Sequence, residues 1–320
     1  MNFNYRKNRI NMNFSHNPVL LEAAIQNLNI IENGVYVDCT FGRGGHSKII
    51  LDKIGEHGKL IAIDKDKDAE DFANKNFSND RRFIFEKNNF SEIVSIVERC
   101  NNSKKVNGIL LDLGVSSPQL DNPDRGFSFM RDGPLDMRMD TDNEMTALVW
   151  LEKAEIDEIS RILKIYGEEK FAYRIAKAIK KSIENNALST TMDLSALINS
   201  CYPKKDSIKK NPSTKTFQAI RIFINKELEE LEKILEDCLK IIEIGGRIVV
   251  ISFHSLEDRI VKNFINQHAL GKDIISKLPI ANIDKNLKLK KIKIPLKATE
   301  QEIKENIRAR SARIRVAEKI

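Results

Sequence analysis

The chain has 320 residues, 41% hydrophobic and 31% charged, with a formal net charge of +7 at pH 7, which describes a soluble folded protein. No apolar run nears the ~20 residues of a bilayer span, and no signal-peptide core opens the chain. Four cysteines without CxxC spacing and five scattered histidines predict no disulfide framework and no metal site, and the expected compartment is a reducing cytoplasm.

In chain order, residues 1–13 are expected to be an N-terminal arm, and Val19 to Leu28 an amphipathic helix. Strand, helix and strand follow at 35–39, 46–54 and 60–64, then a helix near 67–76 and a strand at 82–86. Ser91 is the expected N-cap of a helix over 91–100. An apolar strand, Ile109 to Leu111, ends at Asp112. This alternation predicts an α/β doubly wound sheet covered on both faces. Residues 113–140 are rich in turn formers and expected to be loop. From Thr141 to about 211 the pattern is helical, with apolar faces at Ile156, Ile159, Ile162 and Leu163 and at Phe171, Ile175, Ala178 and Ile179. Thr190 and Asp193 form a capping box there, and the segment is expected to be an inserted module. A long helix is expected from Thr216 to Ile242, ended by Gly245 and Gly246, and then a buried strand from Arg247 to Ser252. Strands at 287–294 and 312–316 would form an antiparallel edge hairpin around a short helix capped by Thr299. The expected organisation is therefore an arm (1–13), a core (14–140), an inserted helical domain (141–212) and a second core part with a basic C-terminal segment (213–320).

The most informative stretch runs from Val35 to His46. A short strand ends at Asp38, and the turn that follows holds Gly42, Gly44 and Gly45. Glycine lets backbone lie directly against a ligand, and helix-start N–H groups point at it. The next strand ends at Asp64, 19 residues past Gly45, where an acid can accept both hydroxyls of a ribose. No third glycine follows as a dinucleotide site would favour, and Asp38 would repel a pyrophosphate. A carboxylate there suits a cationic ligand such as S-adenosylmethionine.

Other strand ends add Asp112, Ser116, Ser117 and Pro118, and the run Ser252 to Ser255 with His254. An acid ending a central strand suits transfer to an aromatic amine, whose N–H bonds need acceptors to align its lone pair. Asp112 could equally bind cofactor or cap a turn. Phe90 could stack on a base or simply fill the core. Arg125, Phe127, Asp136 and Arg138, within 125–139, fit either a base-gripping flap or a brace for the helical insert. Residues 286–320 carry eleven Lys/Arg against four Asp/Glu, a surplus equal to the whole chain's +7, which suits a polyanion.

The stretches 16–23, 37–47, 108–121, 125–140, 215–225, 245–262 and 308–318 together resemble the MraW/RsmH family of S-adenosylmethionine-dependent 16S rRNA (cytosine-N4)-methyltransferases. The resemblance implies a class I (Rossmann-like) methyltransferase core with a helical substrate module inserted after the fourth strand. It implies cofactor contacts at Gly44, Gly45, His46, Asp64, Phe90, Asp112 and Gln119, and a decoding-centre cytidine of the small ribosomal subunit as acceptor. Asp112 lies where amino-methyltransferases of the DPPY type carry their Asp, but Leu-Gly-Val follows it, so no base-stacking residue is assigned. Asn17 and Ile307 stand where an apolar residue and a proline are expected.

The expected reaction sets the cytosine over Asp112 and Ser116 to Pro118, with Ser117 and His254 catalytic and His254 on the opposite lip. Asp38 and Gly42 join the cofactor contacts, and Arg125, Phe127, Asp136 and Arg138 the substrate contacts. Lys204, Lys205, Lys209, Lys210 and the basic C-terminal segment would hold phosphates. The rival readings are a DNA cytosine-N4 methyltransferase and a non-catalytic RNA-binding scaffold.

Overall fold

The computed structural model describes residues 18–203, 211–270 and 287–320. The expected arm at 1–13, the first two residues of the 16–23 stretch, Lys204, Lys205, Lys209 and Lys210 lie outside the described residues. Seven strands form one sheet: β1 (Val35–Asp38), β2 (Lys59–Asp64), β3 (Phe83–Lys87), β4 (Val106–Asp112), β5 (Ile242–Ser252), β6 (Leu289–Ile292) and β7 (Arg313–Lys319). Their order is β3-β2-β1-β4-β5-β7-β6. The first five pair in parallel, while β7 runs antiparallel to both β5 and β6. This is a class I methyltransferase sheet with the expected antiparallel edge. Strand order reverses between β1 and β4, so a crevice opens beyond their carboxyl ends.

Both faces are covered, so β2 and β4 carry continuous apolar runs in place of alternation. Ile61, Ile63, Ile109, Leu111 and Val250 pack on one face, in a core that takes in Ile96, Leu235 and Phe264 of helices Ile93–Cys100, Glu227–Ile241 and Ser255–Leu270. Leu60, Ala62, Leu110, Val249 and Ile251 pack on the other, in a core with Leu28, Ile50 and Ala73 of helices Leu21–Leu28, Gly45–Lys53 and Lys67–Asn76.

A third core belongs to helices. Trp150, Ile159, Leu163, Ile175, Ile179, Leu194 and Phe217 bury one another, and Phe127, Leu135, Met137 and Met139 join them. Helix Ser213–Asn225 therefore packs with the helical module, so the return to the sheet comes later than the expected 213. The single helix expected over 216–242 is two, Ser213–Asn225 and Glu227–Ile241, broken at Lys226 with φ 51°. Asn225 explains the break. Its side chain donates to the Met137 carbonyl (2.7 Å) and accepts from the Met139 N–H (2.7 Å), which fixes the chain just before the reversal.

Other local differences have equally local causes. Asn89, not Ser91, caps the start of the 91–100 region, through a 3-10 turn Phe90–Glu92 ahead of the helix. Gly245 and Gly246 lie inside β5, and Gly245 (φ +80°) sits where its register with β4 shifts. The 113–140 segment holds a short helix, Ser117–Asp121, with a Ser116/Gln119 capping box. The Thr190/Asp193 capping box and the Thr299 cap form as expected. Among the described residues no helix is long and apolar enough to cross a membrane.

Candidate active site

A cavity of about 710 Å³ lies beyond the carboxyl ends of the parallel strands. Gly42, Gly45, His46, Asp64, Phe90, Asp112, Ser116, Ser117, Pro118 and Gln119 stand in its wall. The turn after β1 is shaped by what surrounds it. Gly44 has φ +68°, and a Cβ there would come within 2.7 Å of the Phe77 and Phe41 rings. The Gly42 position is open towards the cavity, with only the Ser116 Cβ at 3.8 Å.

Backbone groups aim Asp64. Its two oxygens accept the Gly42 N–H (2.8 Å) and the Asp66 N–H (3.0 Å), so the carboxylate keeps one orientation. Burial pushes its carboxyl upward, against those two hydrogen bonds. Asp38 takes a different place from the one expected. It is 1% exposed, absent from the cavity wall, and bonded to the Ser47 hydroxyl (2.7 Å) and the Thr40 N–H (3.2 Å). Burial raises it to about 6. In this structure Asp38 is a strut of the turn.

Asp112 is the least satisfied acid of the site. Its N–H donates to the Thr40 hydroxyl (2.7 Å), which fixes the backbone. One carboxylate oxygen lies 3.7 Å from His46 Nδ1, and the other is buried without a hydrogen-bond partner. Burial holds its carboxyl well above the usual range, and the Asp38 and Glu257 charges add to this. His46 is also buried, its Nε2 unpartnered, and burial pushes its imidazole down to about 4. It is neutral at physiological pH. Such orphaned polar atoms are costly unless a ligand meets them.

The lip helix is tied from outside. Arg308 donates to the Ser117 hydroxyl and to Asp121 (3.1 Å). The Gln119 side chain accepts from Ser116 N–H (2.8 Å) and donates to Asp66 (2.7 Å). His254 is not in the cavity wall. Its Nε2 lies 3.1 Å from Glu257, and it is Phe253 and Glu257 that face the cavity.

Four expected substrate contacts are not in the cavity wall either. Arg125, 8% exposed, pairs with Asp66 (2.8 Å) and Asp68 (3.2 Å) and donates to the carbonyls of Arg138 and Met139. Phe127 sits in the helical core, 5.8 Å from the Arg125 guanidinium. Asp136 and Arg138 pair with each other at 2.6 Å. Of the two readings of this stretch, these contacts agree with the brace.

Sequence reasoning missed Asp66, Phe253, Glu257 and Arg308. Asp66 had a usable signal, because an Asp two residues past a strand end, opening a helix, is an N-cap; its side chain accepts the Asp68 N–H. Among the described residues Glu227, His254 and Glu257 also cluster, but Arg221 forks onto Glu227 at 2.8 Å through two nitrogens and balances its charge.

The family model described as the MraW methylase family matches residues 13–320. A Coxiella burnetii protein named ribosomal RNA small subunit methyltransferase H is 48% identical over 306 residues, covering 96% of this chain and 99% of its own length. Proteins of the same name from Hydrogenovibrio crunogenus and Shewanella frigidimarina are 46% and 47% identical, each across 96% of this chain and 97% and 98% of their own lengths. With near-complete coverage on both sides, the chain belongs to the MraW methylase family of S-adenosylmethionine-dependent methyltransferases.

Proposed function

We propose that this protein transfers a methyl group from S-adenosylmethionine to the exocyclic N4 amine of a cytidine in the decoding centre of small-subunit ribosomal RNA, in the cytoplasm. The observation that carries this is Asp112: a half-buried carboxylate at the end of the central strand, one oxygen of which has no hydrogen-bond partner, in the wall of a cavity that also holds the ribose-directed Asp64. The relatives' shared name supports ribosomal RNA as the acceptor.

The residues present fit the cofactor. Asp64 would hold the ribose hydroxyls, the N–H groups opening helix Gly45–Lys53 its carboxylate, and Phe90 the adenine face. When bound, the cofactor supplies a methyl group on positively charged sulfur, a leaving group that needs no acid. A nearby positive charge favours the ionised form of Asp112, opposing the burial that pushes its carboxyl upward. An Asp112 carboxylate oxygen then accepts an N–H of the cytosine amine and holds its lone pair in line with the methyl carbon. The same oxygen is placed to receive the proton that the amine loses. Neutral His46 adds no charge of its own.

Exposed Lys291, Lys293, Lys297 and Arg310, with the helical module, would hold phosphates, so RNA binding should weaken steeply with salt. Arg313 and Arg315 do not belong to that set, because both pair with Asp258. The test is incubation with labelled cofactor and unmethylated small subunits, naked rRNA or DNA, followed by nuclease digestion and mass spectrometry. N4-methylcytidine from small subunits is expected; label confined to DNA, or to another atom of the base, overturns the proposal.

A further inference from the structure

We propose that Phe253 is the platform on which the target cytosine stacks; this rests on the function above. A base held only through its amine would pivot about Asp112, so its ring face needs a flat apolar support. The segment after Asp112 offers none, since Leu113, Gly114 and Val115 follow it. The neighbouring strand does.

In the β4–β5 pair Asp112 stands opposite Ile251. Side chains alternate along a strand, so Phe253 shares the face of Ile251, one step further towards the cavity. The packing agrees: Leu110, Val249 and Ile251 belong to one core, and Phe253 packs against that same core. Phe253 therefore lies beside Asp112, at the level of Gly114. Gly114 has φ +93°, and a Cβ there would lie 3.7 Å from the Phe253 ring. The chain beside the ring thus carries no side chain to cover it. The root of the ring is fixed, because Glu257 accepts the N–H groups of Phe253 (2.8 Å) and His254 (3.2 Å).

Phe253, like Phe90, differs from the clustered phenylalanines near the site. Phe41, Phe72, Phe77 and Phe83 pack ring on ring, whereas among the described residues no ring pairs with Phe253, which stands in the cavity wall. Phe90 follows β3 and Phe253 follows β5, so the two rings flank Asp112 from opposite halves of the sheet. One ring serves the cofactor half and the other the acceptor half.

The test uses full-length F253L, F253Y and F253W with small subunits as substrate. F253L keeps bulk without a π face, and its kcat/KM should fall about 10- to 100-fold, while affinity for S-adenosylhomocysteine is unchanged. F253Y should stay within about threefold of wild type. F253W guards against misfolding: its emission should be quenched by small subunits and not by S-adenosylhomocysteine alone. Wild-type turnover in F253L, a matching loss of S-adenosylhomocysteine affinity, or an unquenched F253W overturns the assignment. Failure of the wild-type protein to form N4-methylcytidine instead overturns the function on which it rests.

Discussion

The cavity rim and the 125–140 segment look alike in composition, for each mixes acids, basic groups and aromatics among turn residues. They differ in how their charges are paired. In the segment, Arg125 meets two carboxylates and two carbonyls, and Arg138 meets Asp136. At the rim, Asp112 and His46 each keep a buried polar atom with no partner. Arg125 Nε is likewise buried without a partner, so the contrast lies in charge: Arg125 and Arg138 meet carboxylates, while Asp112 meets only a neutral imidazole.

Substitutions can break this contrast. The largest effect is expected at Asp112: Asp112→Ala should slow methyl transfer about 100- to 10,000-fold with the melting temperature nearly unchanged. Arg125 should behave in the opposite way. Arg125→Met leaves Asp66 buried without its cation and should cost about 3–5 kcal/mol of stability in denaturant titrations, with kcat of the folded fraction changed less than tenfold. A large loss of kcat in a stable Arg125→Met protein would return Arg125 to the substrate contacts.

Asp64 sharpens the comparison within the rim. Asp64→Ala should weaken cofactor binding by about 10- to 100-fold in calorimetry, the range for hydrogen bonds to a charged group. An unchanged dissociation constant would remove the ribose assignment.

Asp38 gives the smallest effect and one readable by pH. Its folded-state value, about 6, stands above its ordinary 3.8, so the folded protein holds this proton more tightly. The stabilising contribution is complete below 3.8 and is lost as pH rises through 6. Asp38→Asn cannot lose it. Its stability advantage over wild type should therefore grow by roughly 2 kcal/mol between pH 4 and 7. A constant difference across that window would contradict the burial of an ionising Asp38.

How much of this was written in the chain depends on distance along it. The strand–glycine–helix unit, Asp64 and the Asp112 strand end were readable because each is set by a few adjacent residues. The brace was not, because Arg125 finds Asp66 across 59 residues, and composition cannot say whom a charge will meet. The break at Lys226 was hidden for a similar reason: one left-handed residue leaves the apolar period intact, and its cause, Asn225, acts on Met137 and Met139. Phe253 read as a residue after a strand, and only the sheet register sets it beside Asp112.

The account stands most directly on where the amine lies. In a crystal structure with S-adenosylhomocysteine and a cytidine-containing RNA, the cytosine N4 should lie about 2.7–3.2 Å from an Asp112 carboxylate oxygen, with the donor's sulfur on the Gly42–Gly45 side. A cytosine seated against Arg125 and Arg138, or a cofactor away from the glycine turn, would contradict it.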